Sequence, residues 1–190
     1  MIKTLYTRSE IKYKGDCIYE LPNGKTIEGV GISKFLYEKR SKTAAMRQGI
    51  NVHEQIENNL RDSQPAATVL DWMDENLKER KTEVFVYGEQ QGKSLIGFVD
   101  CIGTTKEDEL VLIDVKTTRK PLSMQEGSTK WFVQCMSYIL SLYSMTGVLV
   151  PSLVILAINP DTCELTVHTK RIADYSQLSI VLKSYLSSDL

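Results

Sequence analysis

The sequence predicts a mixed α/β fold in which helices flank a central β-sheet and a small β-hairpin comes first. Three observations predict it. Apolar runs of strand length occur at Leu95–Ile102 and Val111–Val115, each broken by one acid, and without a break at Leu153–Ile158, the last as expected of a strand covered on both faces. Apolar positions recur at helical spacing over 43–61, 68–79 and 128–143,. Asn23-Gly24 lies between two alternating segments, a strong short-range hairpin signal.

Each element follows in order. Residues 16–30 form the hairpin, with Gly24 supplying the positive φ that a type I′ turn requires,; Leu5 to Tyr13 fits no single pattern. Ser33 is a candidate cap for a short helix through Arg40, with Ile32, Phe35 and Leu36 facing inward,. The helix over 43–61 turns Met46, Ile50, His53, Ile56, Glu57 and Leu60 to one face,. Gly49 inside it costs about 1 kcal/mol relative to Ala, tolerable where a neighbour must approach closely. Ser63-Gln-Pro65 breaks the chain, and a helix over 68–79 uses Val69, Leu70, Trp72, Met73 and Leu77 to pack on the sheet. Glu83–Tyr87 alternates as a strand, Glu89–Lys93 turns, and the runs at 95–102 and 111–115 follow, joined by a polar turn over 104–109,. Pro121–Glu126 is a loop into the helix of 128–143, which Gly147 ends. Leu153–Ile158 is a central strand, Asn159-Pro-Asp161 a turn, and Glu164–Lys170 a half-exposed strand with His168 on the surface. An amphipathic helix over 172–186 closes one face.

The chain of 190 residues suits one domain,. A net charge of −1 argues against coating nucleic acid by global attraction,, but leaves room for a local basic groove. Lys34 to Arg47 holds five basic residues against one acid, and Lys116, Arg119 and Lys120 form a second cluster. The longest apolar stretch, 131–150, is interrupted by Gln134, Ser137, Ser141 and Ser144, so it reads as a buried helix with no membrane span. The first eight residues make no signal peptide, and cysteines 17, 101, 135 and 163 are scattered with no CxxC pair,. Reduced thiols in a cytoplasmic compartment are the plain expectation.

The chemistry concentrates in two strands. Asp114 and Lys116 alternate with Val115, so both point to one side at the end of an apolar strand,. Asp100 is the lone acid of the preceding strand. A carboxylate in each of two neighbouring core strands is costly without partners or an ion, and that pattern reads as a divalent metal site. His53 and Glu57 adjoin at i,i+4 on one helix, and Gln134 and Tyr138 on another, with Lys130 one turn before Gln134,. A histidine on a helix face is by itself more often a satisfied boundary residue, and a basic cluster more often a solvated surface.

Taken in order, the motifs are Ser33-Lys-Phe-Leu36, Gly49-x-x-x-His53-x-x-x-Glu57, Gly97-Phe-Val-Asp100, Ile113-Asp-Val-Lys-Thr117 and Gln134-Cys-Met-Ser-Tyr138. The set resembles the PD-(D/E)xK nucleases, in the branch of RecB-like exonucleases, phage exonucleases and the mitochondrial genome maintenance exonuclease, over residues 30 to 158. The resemblance implies a restriction-endonuclease-like core at 31–158, a hairpin extension at 1–30 and a C-terminal strand and helix at 159–190. It implies Mg²⁺ or Mn²⁺ held by His53, Asp100, Asp114 and the Val115 carbonyl, with Glu57 behind them. Lys116 would then orient the attacking water, and Gln134 and Tyr138 would complete the catalytic set. Ser33, Arg47, Thr117, Arg119, Lys120 and Lys130 are the expected nucleic-acid contacts. Cys163 is the only cysteine after the Gln-x-x-x-Tyr motif, which argues against the iron–sulfur cluster of some relatives. The implied substrate is single-stranded DNA attacked from its ends, in a bacterial or phage-infected cytoplasm. No helicase motif occurs, so a helicase, polymerase or single-strand-binding protein is the expected partner. An endonuclease of the same fold, on DNA or RNA, and a non-catalytic nucleic-acid-binding protein stay open as alternatives.

Overall fold

The computed structural model describes residues 2–36, 44–119 and 127–172, with positions 176, 178 and 180. The helix expected to run on to Arg40, the loop at 121–126, Lys120 and most of the helix at 172–186 lie outside the described residues. Within the latter, positions 176, 178 and 180 are helical and Leu178 is buried.

The N-terminal region forms a three-stranded antiparallel sheet of β1 (Lys12–Gly15), β2 (Ile18–Glu20) and β3 (Thr26–Glu28). The expected type I′ turn is there but in another place. Asp16 and Cys17, both at positive φ (48° and 60°), join β1 to β2. Asn23-Gly24 instead closes a three-residue loop. Leu21 N–H donates to Lys25 O, Gly24 N–H donates to Leu21 O, and only Gly24 in that loop has positive φ. Pro22 fixes a negative φ at the first loop position, which favours a type I turn ending on a left-handed glycine.

The main sheet and its helices follow: β4 (Val30–Gly31), α1 (Ile32–Leu36), α2 (Ala44–Glu57), α3 (Gln64–Asn76), β5 (Leu77–Gln90), β6 (Lys93–Thr105), β7 (Leu110–Thr117), α4 (Gly127–Thr146), β8 (Ser152–Ile158) and β9 (Leu165–Arg171). The strand order is β4-β6-β7-β8-β9 with β5 on the other edge of β6. β4 with β6 and β7 with β8 are parallel, and the other pairs are antiparallel. This mixed sheet flanked by helices is the restriction-endonuclease-like architecture. Among the described residues no helix is long and apolar enough to cross a membrane.

Two cores form on its faces. Val133, Ile139 and Leu142 of α4 pack with Leu95, Leu112 and Leu153; Val52 and Ile56 of α2 and Leu70 and Met73 of α3 pack with Ile113 and Val115. Strand alternation therefore sends Asp114 and Lys116 toward α4.

Several expectations are corrected. β5 begins at Leu77, where a helix tail was expected. Leu77 N–H closes α3 on Met73 O, and Leu77 to Gln90 pairs along β6. The charged start of β5 is satisfied locally, with Lys78 on Asp108 and Arg80 on Asp74. The inward face of α2 runs through Gly49, Val52 and Ile56, whereas Ile50 and Leu60 are exposed; the side chain of Met46 lies outside the described residues. The cause is close docking, since a Cβ on Gly49 would lie 2.6 Å from Thr117 Oγ1. That rotation turns Ile50, His53 and Glu57 toward a cleft. Ser33 lies within α1 rather than at its cap, and its hydroxyl meets Gln134. His168 is half-buried, because the ladder sets it opposite Ile155.

One edge of β6 positions the site. β5 runs along one side of β6, while β4 and β7 share the other. β4 pairs only with Leu95 and Ile96, and β7 only with Cys101 to Thr104. Residues 97–100 have no strand partner on that edge among the described residues, which leaves a notch. Gly97 forms its floor, where a Cβ would meet Tyr138 Cε1 at 2.7 Å and Ile32 Cδ1 at 3.2 Å. Gly97→Ala is therefore expected to overpack the notch at a cost of about 1–3 kcal/mol and to lower Tm by several degrees. An unchanged Tm in differential scanning fluorimetry would show that Tyr138 yields without cost.

Candidate metal centre

The notch exists because the β6–β7 ladder stops. Cys101 opposite Ile113 is its last pair, and Asp100 and Asp114 are the next residues on the two strands. Val115 N–H, freed from the ladder, donates instead to Asp100 Oδ2 at 2.7 Å. The carboxylate thus satisfies a buried backbone donor that the diverging strand cannot.

Glu83 comes from the opposite edge of β6. Thr82 pairs with Cys101 and Val84 with Val99, so Glu83 lies across from Asp100. Its φ is +47°, a left-handed backbone that is uncommon for a residue with a side chain and concentrates at functional sites. The alternation of β6 slips at the same level: Leu95, Val99 and Ile102 all join the α4-side core, the last after three positions instead of two. His53 enters from α2, with Nδ1 3.3 Å from Asp100 Oδ1. One ligand atom each from His53, Glu83 and Asp100 lie within 4.8 Å of one another. An octahedral ion with bonds of about 2.1 Å keeps its ligands about 3 to 4.2 Å apart, so the triad needs only a small contraction to grip one.

On the α4 side, Lys116 Nζ is 2.6 Å from Asp114 Oδ2. The contact is misaligned for a hydrogen bond, so this enclosed oxygen lacks a well-directed donor. Lys116 Nζ also donates to Gln134 Oε1 at 3.3 Å, and Gln134 Nε2 donates to Tyr138 Oη at 2.8 Å and Ser33 Oγ at 3.0 Å. Behind the triad, Arg8 Nε and Nη2 both donate to Glu83 Oε2, at 2.9 and 2.5 Å.

Burial and mutual charge set the protonation states. Burial, with Lys116 opposing, pushes the Asp114 carboxyl up to about 6. Burial and Asp100 raise Glu83 in spite of Arg8. For Asp100 burial also acts upward, but His53 and Lys116 outweigh it and hold the group below its ordinary value. Burial acts against charge on His53, yet Asp100 raises it overall. Burial likewise opposes charge on Lys116, but Asp114 and Asp100 hold it firmly protonated. Three carboxylates thus face two permanent cations, Arg8 and Lys116, with His53 titrating between. Hard oxygen donors plus one imidazole, an enclosed carboxylate oxygen in search of a donor and a residual negative charge fit Mg²⁺ or Mn²⁺.

Sequence-predicted residues His53, Asp100, Asp114, Lys116, Gln134 and Tyr138 come together here. Val115 makes its contact through its N–H. Glu57 and Thr117 line the cleft over the triad, a space of about 600 Å³. Ser33 is tied to Gln134, and Arg47 and Lys130 are exposed. Arg119 is drawn elsewhere, donating to Asp161 at 2.6 Å and to Gln48 at 2.7 Å. Sequence reasoning missed Glu83 and Arg8. The available signal for Glu83 was an acid opening an otherwise apolar alternating strand; Arg8 gave none.

Residues 32–177 match the sequence profile of the PD-(D/E)XK nuclease superfamily. The chain belongs to that superfamily. No curated protein sequence matches it. Among solved structures it is similar to a protein of Eubacterium rectale provisionally named an exonuclease, at 14% identity and a TM-score of 0.50, covering 79% of this chain and 65% of that one. It also aligns with an alkaline exonuclease of Laribacter hongkongensis, at 13% identity and a TM-score of 0.42 over 83% of this chain and 74% of that one. A third, SSO0001, aligns at 11% identity and 0.41 over 83% and 81%. The superfamily fold implies nucleic-acid binding, and the His53–Glu83–Asp100 cluster is consistent with a metal-dependent nuclease.

The raised carboxyl of Asp114 has a consequence for stability. Its folded value lies above its unfolded one, so its stabilising contribution is present at low pH and is lost as pH rises through about 6,. His53, also raised, acts in the same direction. The metal-free protein should lose Tm between pH 5 and 7.5, and added Mn²⁺ should restore more at pH 7.5 than at pH 5.5. Asp114→Asn should flatten both dependences. A Mn²⁺-induced Tm shift independent of pH would remove Asp114 and His53 from the ion's surroundings.

Proposed function

We propose that this protein is a Mg²⁺- or Mn²⁺-dependent exonuclease that hydrolyses single-stranded DNA from a free end, in the RecB-like branch of its superfamily. One observation carries the reading: buried Asp114 with half-buried Asp100 and Lys116 adjoins the His53–Glu83–Asp100 triad at the floor of an open cleft. Asp100, His53 and Glu83, with Asp114 nearby, would hold a divalent ion, which would supply Lewis acidity toward a phosphate and lower the pKa of bound water,.

The chain's own residues do the rest. Lys116 is held protonated, so it serves as a fixed positive charge toward the phosphate and does not take a proton from water. Its direction is set by Asp114 at 2.6 Å and Gln134 at 3.3 Å. Gln134 is in turn fixed by Tyr138 and Ser33, so these three position the lysine from behind. Asp100 keeps His53 oriented through the 3.3 Å contact. A charge placed in advance stabilises the transition state without reorganisation. The near-neutral surface suits a single strand passing one cleft more than a grip along a duplex. A motor or single-strand-binding protein that exposes single strands would supply the substrate.

Asp114→Asn and Lys116→Ala should each lower turnover by at least about 10²-fold without unfolding the protein. His53→Ala should raise the metal concentration needed for half-maximal rate. The deciding assay offers linear and circular single-stranded DNA of one sequence, with duplex and RNA as controls, in Mg²⁺ and in Mn²⁺. Loss of the linear form with survival of the circle is expected. Equal loss of both would replace the exonuclease by an endonuclease, and loss of RNA alone would change the substrate.

A further inference from the structure

Beside the metal cleft lies a second, smaller cavity of about 210 Å³, walled by Arg8, Cys17, Tyr19, Gly97, Phe98 and Tyr138. Arg8 and Phe98 line both spaces, so the two are contiguous across the Arg8 side chain. That side chain is fixed at the junction. Its guanidinium lies 4.0 Å from the Phe98 ring centre, and two of its N–H groups share one oxygen of Glu83. A guanidinium has five donors, so three are left to face a ligand. The aromatic wall continues outward. Tyr19 lies 5.7 Å from Phe98 and 5.2 Å from Tyr13, which is 64% exposed on β1 between Lys12 and Lys14. Lys12 and Lys14 are engaged by Glu20, so it is the Tyr13 ring that extends this wall toward solvent. The volume, below the range of about 300–1,000 Å³ usual for ligand pockets, is on the scale of a single base. Arg8, Cys17 and Tyr19 all precede the segment that matches the superfamily, 32–177.

Resting on the nuclease reading above, we propose that the N-terminal sheet builds a subsite for one unpaired nucleotide next to the scissile bond. Arg8, stacked on Phe98, holds the phosphate that joins this nucleotide to the one over the carboxylates, and the base enters the cavity beside Tyr19,. A duplex end would have to unpair to occupy it, which makes the subsite a selector for single strands.

The test is binding of a short single-stranded DNA in Ca²⁺, measured by fluorescence anisotropy at several salt concentrations. Arg8→Ala should weaken binding about tenfold and reduce the salt slope by about 0.7, the loss of one phosphate contact on a single strand. Arg8→Lys should recover the slope. If Arg8 only holds Glu83, Arg8→Ala will shift the metal titration while leaving affinity and slope unchanged, and the proposal fails. A second readout needs no change at Arg8. In a Cys163→Ser background, the DNA strand should slow alkylation of Cys17 at least about fivefold while a blunt duplex does not. Undiminished labelling of Cys17 by a protein that has bound the strand would also overturn the subsite. A wild-type protein that binds no nucleic acid at all would instead refute the nuclease reading, and the subsite with it.

Discussion

Placing Asp100 and Asp114 side by side in the interior is the constraint on which the rest depends. Each is costly to bury as a charge, and ordinary strand pairing would set them directly opposite one another, where like charges repel. The fold answers by ending the β6–β7 ladder one pair earlier, at Cys101 and Ile113. Each carboxylate then acquires its own partners: Val115 N–H and His53 for Asp100, Lys116 for Asp114. Glu83 adds a third acid from the other edge, matched by Arg8 from the N-terminal segment. The arrangement falls short of neutrality when His53 is uncharged, a deficit that a divalent ion would offset.

The supporting structure follows from keeping that opening in place. Gly97 lets Tyr138 lie against β6, and Tyr138 with Gln134 fixes Lys116. Gly49 lets α2 sit close to Thr117, which brings His53 within reach of Asp100. The helical glycine that costs about 1 kcal/mol in propensity is thus explained by a contact. The fully buried β8 and the two apolar cores hold β7 rigid beneath the charges.

Much of this was legible in the sequence because polar residues inside apolar runs have few benign explanations. Asp100, Asp114 and Lys116 stood out against Val, Ile and Leu neighbours, and Gln134 and Tyr138 against the helix of Cys135 and Met136. What was hidden depends on pairing across long separations. Glu83 acquires its meaning only from the register that sets it opposite Asp100, and the charged run before it, Lys78 to Lys81, concealed the first part of the strand. Arg8 reaches Glu83 across 75 positions. Arg119 acquires its ion-pair partner Asp161 only through the fold. The face of α2 was misjudged because apolar spacing admits both Ile50 and Val52, and only docking at Gly49 chooses between them.

The central claim is that these groups hold a divalent ion through His53 together with carboxylates. Electron spin-echo spectroscopy of Mn²⁺ added to the protein tests it most directly, since a coordinated imidazole nitrogen modulates the echo. The account predicts bound Mn²⁺ with a nitrogen coupling that disappears in His53→Ala, and markedly weaker binding in Asp100→Asn. Mn²⁺ that stays free in solution, or that binds with the same nitrogen signal after His53 is removed, would contradict it.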